Sequence, residues 1–177
     1  FSINIAWITF PFVTSFVGLF YWDFRRRRQP ANPDKLSSRT ALLMPMYNED
    51  AARVAASLDA MAHELAALGE GKSFEIFLLS DSTDGDRARA EQEVVWALRR
   101  RLDGMIRVNY RRRVRNTAHK SGNIRDFCER WGTQYDHMIV LDADSRMDGA
   151  TLVALARRME ADPDAGLIQT MPRLHKG

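Results

Sequence analysis

Cysteine is almost missing from this chain, and that scarcity removes a class of folds. The one thiol among 177 residues, Cys128, cannot close an intrachain disulfide, so a hydrophobic core has to hold the fold together. Histidine is scarce too. His63, His119, His137 and His175 have no metal-ligand spacing, which argues against a zinc centre. No repeat and no low-complexity tract interrupts the sequence, which argues against a solenoid or a disordered tail. Charge is absent from residues 1–22 and then arrives abruptly as Arg25-Arg26-Arg27-Arg28.

With 45% hydrophobic residues the chain can bury one core of ordinary domain size. Residues 1–22, rich in Ile, Phe, Val and Trp, span a hydrocarbon layer of about 30 Å at ~1.5 Å per helical residue. The segment is expected to be one transmembrane helix, kinked by Pro11. Its basic flank follows the apolar run instead of preceding it, which is the order of a retained anchor with a cytoplasmic C-terminal side. Trp7, Tyr21 and Trp22 are the expected interface anchors. Residues 23–39, with Pro30, Pro33, Ser37 and Ser38, read as a basic cytoplasmic linker, and the start at Phe1 and stop at Gly177 read as an excerpt of a longer protein.

From Thr40 onward, short apolar runs alternate with helical patterns, the signature of an α/β domain with a mostly parallel sheet and flanking helices. Strands are expected at 41–46, 75–80, 105–110, 138–142 and 166–171. Val54, Leu58, Met61, Leu65 and Leu68 mark the first helix, Val94, Val95, Leu98 and Leu102 the second, and Ile124, Phe127 and Trp131 the third. A fourth should start at an Asp148 cap and carry Leu152, Leu155 and Met159. In such sheets ligands bind beyond the carboxyl ends of the strands, which directs attention to the polar clusters there.

The run His137-Met138-Ile139-Val140-Leu141-Asp142-Ala143-Asp144 ends in two carboxylates two residues apart. In extended backbone both point to one face and can reach a single hard cation, and Mg²⁺ takes only one or two carboxylates while leaving positions for phosphates. After the first strand, Pro45-Met46-Tyr47-Asn48-Glu49 offers a flat ring beside an acceptor, suited to stacking and bonding a base, although a plain turn with a helix cap has the same composition. After the second, Ser80-Asp81-Ser82-Thr83-Asp84-Gly85 is a carboxylate-rich turn that could orient a nucleoside or simply form an Asx turn. Ser80, Ser82, Asp84, Gly85 and Glu91 also fall at the ligand positions of an EF-hand, but Ser replaces the first Asp and a strand stands where that motif needs a helix.

Arg111-Arg112-Arg113-Val114-Arg115 precedes His119-Lys120-Ser121-Gly122-Asn123, which opens a helix. Lys120 is a compact charge suited to phosphate at a helix N-terminus, whereas the arginines read as a solvated basic surface. One short basic patch with almost no interleaved aromatics falls short of a nucleic-acid footprint.

Taken in order, Pro45-x-Tyr47-Asn48-Glu49, the 81–84 loop, His119-Lys120-Ser121-Gly122-Asn123, Asp142-Ala143-Asp144 and Gln169-Thr170-Met171-Pro172 resemble the donor half of processive family 2 glycosyltransferases. The wording of residues 44–50, Leu79-Ser80-Asp81 and 116–123 is most similar to the branch that makes osmoregulated periplasmic glucans. The resemblance covers 40–176. It implies a GT-A fold in which 40–177 is the donor-binding half of a cytoplasmic domain, in a multi-pass protein of the bacterial inner membrane.

It further implies an inverting, Mg²⁺-dependent (or Mn²⁺-dependent) transfer from UDP-glucose to a glucan acceptor, giving a β-1,2-linked backbone. Tyr47 and Glu49 would hold the nucleobase, with Pro45 beside them in the nucleotide-sugar site, Lys120 would meet the diphosphate, and Asp142 with Asp144 would hold the metal against it. The commoner Asp-Asp-Gly-Ser is replaced here by Ser80-Asp81, which leaves both Asp81 and Asp84 as candidates for the uridine contact. The family's Thr-Glu-Asp base and Gln-x-x-Arg-Trp acceptor motif are not among these residues. Two other classes share such a sheet. A nucleotidyltransferase would want a glycine-rich loop that 45–50 lacks, and a non-catalytic, membrane-anchored nucleotide-binding domain would need no base.

Overall fold

Residues 35–170, together with Val13 and Thr14, are described by a computed structural model. Apart from Val13 and Thr14, the expected membrane helix lies outside them, as does most of the linker, and among the described residues no helix is long and apolar enough to cross a membrane.

Four parallel strands form one sheet in the order β3-β2-β1-β4: β1 Thr40–Met46, β2 Phe74–Ser80, β3 Arg107–Arg112 and β4 His137–Val140. Helices α1 Ala51–Ala67, α2 Gly85–Arg101, α3 His119–Trp131 and α4 Gly149–Ala161 connect or follow them. β1 reads as an unbroken apolar run because it is central and covered on both sides. Its Leu42, Met44 and Met46 join Val54, Leu58, Met61 and Leu65 of α1, Val95 and Leu98 of α2, and Leu152, Val153 and Ala156 of α4. Its Ala41 and Leu43 face the other layer, with Phe77, Leu79 and Phe127.

The handedness of parallel crossovers accounts for this division. The chain moves outward from β1 to β2 to β3, then returns to the far flank of β1 as β4. Right-handed connections that reverse direction put α3 on the opposite face from α1 and α2. There Phe127 packs edge-to-face on Phe77, with ring centroids 4.8 Å apart. Three helices start at aspartates whose carboxylates accept from backbone N–H groups: Asp50 from Ala52 at 2.9 Å, Asp84 from Asp86 at 2.8 Å, and Asp148 from Thr151 at 2.6 Å.

Three strand expectations need correction. β3 begins at Arg107, not at 105, because Gly104 adopts φ 75° and Met105 and Ile106 both donate to the Leu102 carbonyl, at 3.0 and 3.2 Å, in a turn. β4 stops at Val140; one further bond, Leu141 N–H to Leu43 O at 2.8 Å, ends the ladder, and a turn follows. Residues 166–170 form no strand. No ladder partner lies beside them among the described residues, and a turn closed by Ala165 N–H to Asp162 O at 3.0 Å leads into them. Met171 lies outside the described residues.

A candidate nucleotide-sugar cleft at the split of the sheet

β1 pairs with β2 through Met46↔Ser80 but with β4 only through Leu43↔Val140. The sheet therefore opens at the carboxyl end between β1 and β4, the switch point where the strand order reverses and where open α/β sheets bind ligands. Pro45 sits at the split. Leu43 O faces β4, so a residue two further on would also aim its N–H that way, beyond the end of the β4 ladder, and proline has none to leave unpaired.

An open cleft of about 430 Å³ occupies the split, lined by Pro45, Met46, Tyr47, Glu49, Asp81, Asn116, His119, Lys120, Asn123, Asp142, Ala143 and Asp144. Seven of the eight residues singled out from the sequence meet there. Tyr47 is 53% exposed, and its ring is available as a stacking platform. Asp142 and Asp144 are exposed but do not lie on extended backbone as expected: Ser145 N–H donates to Asp142 O at 3.1 Å, so the pair rides on a turn past the strand. Lys120, in the first turn of α3, forms an ion pair with Asp142 Oδ1. Asn123 donates Nδ2–H to Leu79 O at 2.8 Å, while its buried Oδ1 meets no donor among the described residues.

Asp84 does not line the cleft. Its carboxylate caps α2, accepting from the N–H groups of Asp86 and Arg87 at 2.8 and 3.1 Å. The Arg87 and then the Asp86 backbone bonds hold it below the ordinary aspartate range. Asp81 is only 4% exposed and lies at the cleft wall.

Arg111 and Arg113 are not on the solvated face that the composition of the run suggests, whereas Arg112 is exposed. Arg113 grips Asp81 with two bonds, Nε–H to Oδ1 and Nη2–H to Oδ2, both 2.6 Å, and donates to the carbonyls of Thr117 and His119 at 3.1 Å each. The Asp81 bond raises the Arg113 pKa against the opposing effect of burial. Arg112 bonds Ser82 O at 2.9 Å, and Arg111 reaches Asn123 O at 3.1 Å and Asp126 at 3.2 Å. The signal available in the sequence was the period of two: on a strand, neighbouring arginines must leave on opposite faces, and one face leads to α3.

The EF-hand spacing has no metal geometry. Ser80 ends a strand, and Glu91 is buried inside α2. Among the described residues no group of three or more His, Cys, Asp or Glu could hold a metal alone. Two carboxylates at a cleft rim still fit a cation that completes its shell with water and phosphate.

A parallel sheet that splits above a tyrosine, a lysine and a carboxylate pair is the layout of a ligand-binding α/β domain with its cleft at the switch point. The sequence profile described as glycosyl transferase family 2 matches residues 41–174, and the chain belongs to that family. It is similar to glucans biosynthesis glucosyltransferase H of Vibrio cholerae serotype O1, at 49% identity over all 177 residues, and to the protein of that name from Shewanella baltica at 46%. The chain spans 24% of the length of these relatives. Among solved structures it is similar in fold to a mannosyltransferase from Pyrobaculum calidifontis, in complex with GDP-Man and Mn²⁺. The TM-score is 0.53 at 19% identity, covering 84% of this chain and 41% of that one.

Proposed function

We propose that the full-length protein is an inverting glucosyltransferase of the bacterial inner membrane. It takes glucose from UDP-glucose on the cytoplasmic side and adds it to a growing periplasmic β-glucan with a β-1,2-linked backbone. The observation that carries this reading is the convergence of Tyr47, Glu49, Asp81, Lys120, Asp142 and Asp144, drawn from four separate chain segments, on one cleft. The name borne by the similar Vibrio and Shewanella proteins supports glucose and a glucan.

In this reading Tyr47 stacks on uracil, and Glu49 and Asp81 bond the nucleoside. Asp142 and Asp144 would hold Mg²⁺ or Mn²⁺, which when bound neutralises charge on the diphosphate. Lys120 leaves Asp142 for the diphosphate and stabilises the departing UDP. The base that activates the acceptor hydroxyl is assigned to residues outside this chain.

The test uses the full-length protein. Wild type should bind UDP in a Mg²⁺-dependent manner and convert labelled UDP-glucose to polymer and UDP, and Asp144→Ala should abolish the metal dependence. Undiminished metal-dependent UDP affinity in that variant refutes the assigned role. Pyrophosphate-dependent exchange would indicate a nucleotidyltransferase instead, and binding without turnover would indicate a binding domain.

A further inference from the structure

One buried carboxylate has no place in the chemistry above. Glu91 lies in the second turn of α2, 1% exposed, and both of its oxygens are engaged: Oε1 accepts from Ser82 Oγ–H at 2.5 Å and Oε2 from Tyr110 O–H at 2.9 Å. Ser82, also 1% exposed, passes the connection on. Its Oγ accepts the Asn48 N–H at 2.9 Å, and its own N–H bonds Ser80 Oγ at 3.2 Å. Asn48 is the residue between Tyr47 and Glu49. It adopts φ 55°, the left-handed conformation that Asn takes more readily than other non-glycine residues. Its partners all lie within residues 82–87: besides the Ser82 bond, Asn48 O accepts from Arg87, and Asn48 Oδ1 lies 3.5 Å from Asp84 N.

A continuous chain of bonds therefore runs from β3 through Tyr110, Glu91 and Ser82 to the turn that presents Tyr47 and Glu49. It is buried at its centre, where an unpaired polar group is costly, so each member fixes the next. It does not touch Lys120, Asp142 or Asp144.

We propose that Glu91 is the positioning residue of the nucleoside half of the cleft: it locks the Asn48 turn and thereby aims Tyr47 and Glu49, while the diphosphate half is set independently. The inference rests on the donor reading above and adds to it the residue that enforces base recognition. Glu91→Gln tests it with almost no change in shape. An amide has one acceptor oxygen, so either Ser82 or Tyr110 faces an N–H₂ group instead of an acceptor.

Full-length wild type, Glu91→Gln and Tyr110→Phe are titrated with Mg²⁺-UDP and, separately, with Mg²⁺-pyrophosphate, with Kd referred to the binding-competent fraction. Glu91→Gln should weaken UDP about tenfold and leave pyrophosphate unchanged, because misplacement of contact groups by a fraction of an ångström is felt only where they act. Tyr110→Phe, which keeps the carboxylate and removes one donor, should follow in the same direction by about threefold and stands in if Glu91→Gln does not fold. UDP and pyrophosphate weakening together, or neither weakening in both variants, overturns the assignment. Wild type that binds pyrophosphate but not UDP overturns the donor reading, and with it this inference.

Discussion

Gly122, in the first turn of α3 beside the cleft, has no room for a side chain. A Cβ added there would stand 2.1 Å from Thr117 O, 3.0 Å from Ala118 Cβ and 3.1 Å from the Thr117 carbonyl carbon. The oxygen is not free to move. It accepts from Arg113 Nη1 at 3.1 Å, and the next two residues already sit at positive φ, 57° for Ala118 and 47° for His119. Left-handed backbone costs a non-glycine residue about 1–2 kcal/mol, so this turn has little tolerance for further distortion. Relief in Gly122→Ala requires the carbonyl to retreat by roughly 1 Å, and overpacking of that kind costs about 1–3 kcal/mol. Helix propensity returns at most about 1 kcal/mol of that loss. Lys120 belongs to the displaced turn, so UDP affinity should fall by about tenfold or more. Full-length protein, followed by thermal unfolding and Mg²⁺-UDP titration, reads both effects. Gly85→Ala is the control: a Cβ there meets nothing within 4 Å, and it should change stability by less than about 0.5 kcal/mol. Gly122→Ala with unchanged melting and unchanged UDP Kd refutes the steric account.

Two further outcomes test the fold. Phe127, 1% exposed, is the one fully buried α3 side chain in the second core, so Phe127→Ala should cost about 3–5 kcal/mol in denaturant unfolding, and a loss under about 1 kcal/mol would mean that this layer contributes little. Tyr110 gives a signature at high pH: burial first, and then the Glu91 charge, push its phenol up to about 12 from an ordinary 10.0. Below pH 10 both states keep the proton; above it the unfolded chain releases the proton first, so stability from this group is lost as pH rises toward 12. Tyr110→Phe should flatten that part of a stability-versus-pH curve, and an unchanged slope refutes the burial account.

The sheet was legible because β1, β2 and the helix stripes combine period and polarity without conflict, and because the Asp148 cap marks a helix start at the residue. The carboxyl-end clusters were legible for the same reason: a polar group directly after a buried strand has to emerge at the rim. The boundaries of β3 and β4 depend on turn chemistry at Gly104 and on Ser145, which an apolar run does not report. The choice between Asp81 and Asp84 was closed to the sequence because both are acids in one loop. Only the N–H groups at the start of α2 mark Asp84 as a cap, and only Arg113, 32 residues away from Asp81, marks the other as a wall of the cleft. Glu91 was misleading for a related reason. Its spacing from Ser80 and Ser82 is a loop pattern in one fold and a helix-to-loop bond in another, and spacing carries no information about which.

These long-range partners explain how the rim keeps its shape without a disulfide. Each of its loops is bridged by one charged side chain from an element the loop does not belong to. Glu91 of α2 fixes the turn after β1 through Ser82. Arg113, just past β3, ties Asp81 after β2 to the entrance of α3. Glu64 of α1 accepts from Gly149 N–H at 2.7 Å and pairs with Arg146, holding the far end of the Asp142–Asp144 turn; a Cβ at Gly149 would come 2.7 Å from Glu64 Cβ, so only glycine permits that approach. An exposed ion pair contributes little, but a charge that is half-buried and bonded to backbone fixes position as well as energy. Charged side chains around the cleft therefore divide between two tasks: Lys120, Asp142 and Asp144 face it, while Glu64 and Arg113 hold the backbone that carries these three and Glu91 holds the turn that presents Tyr47 and Glu49.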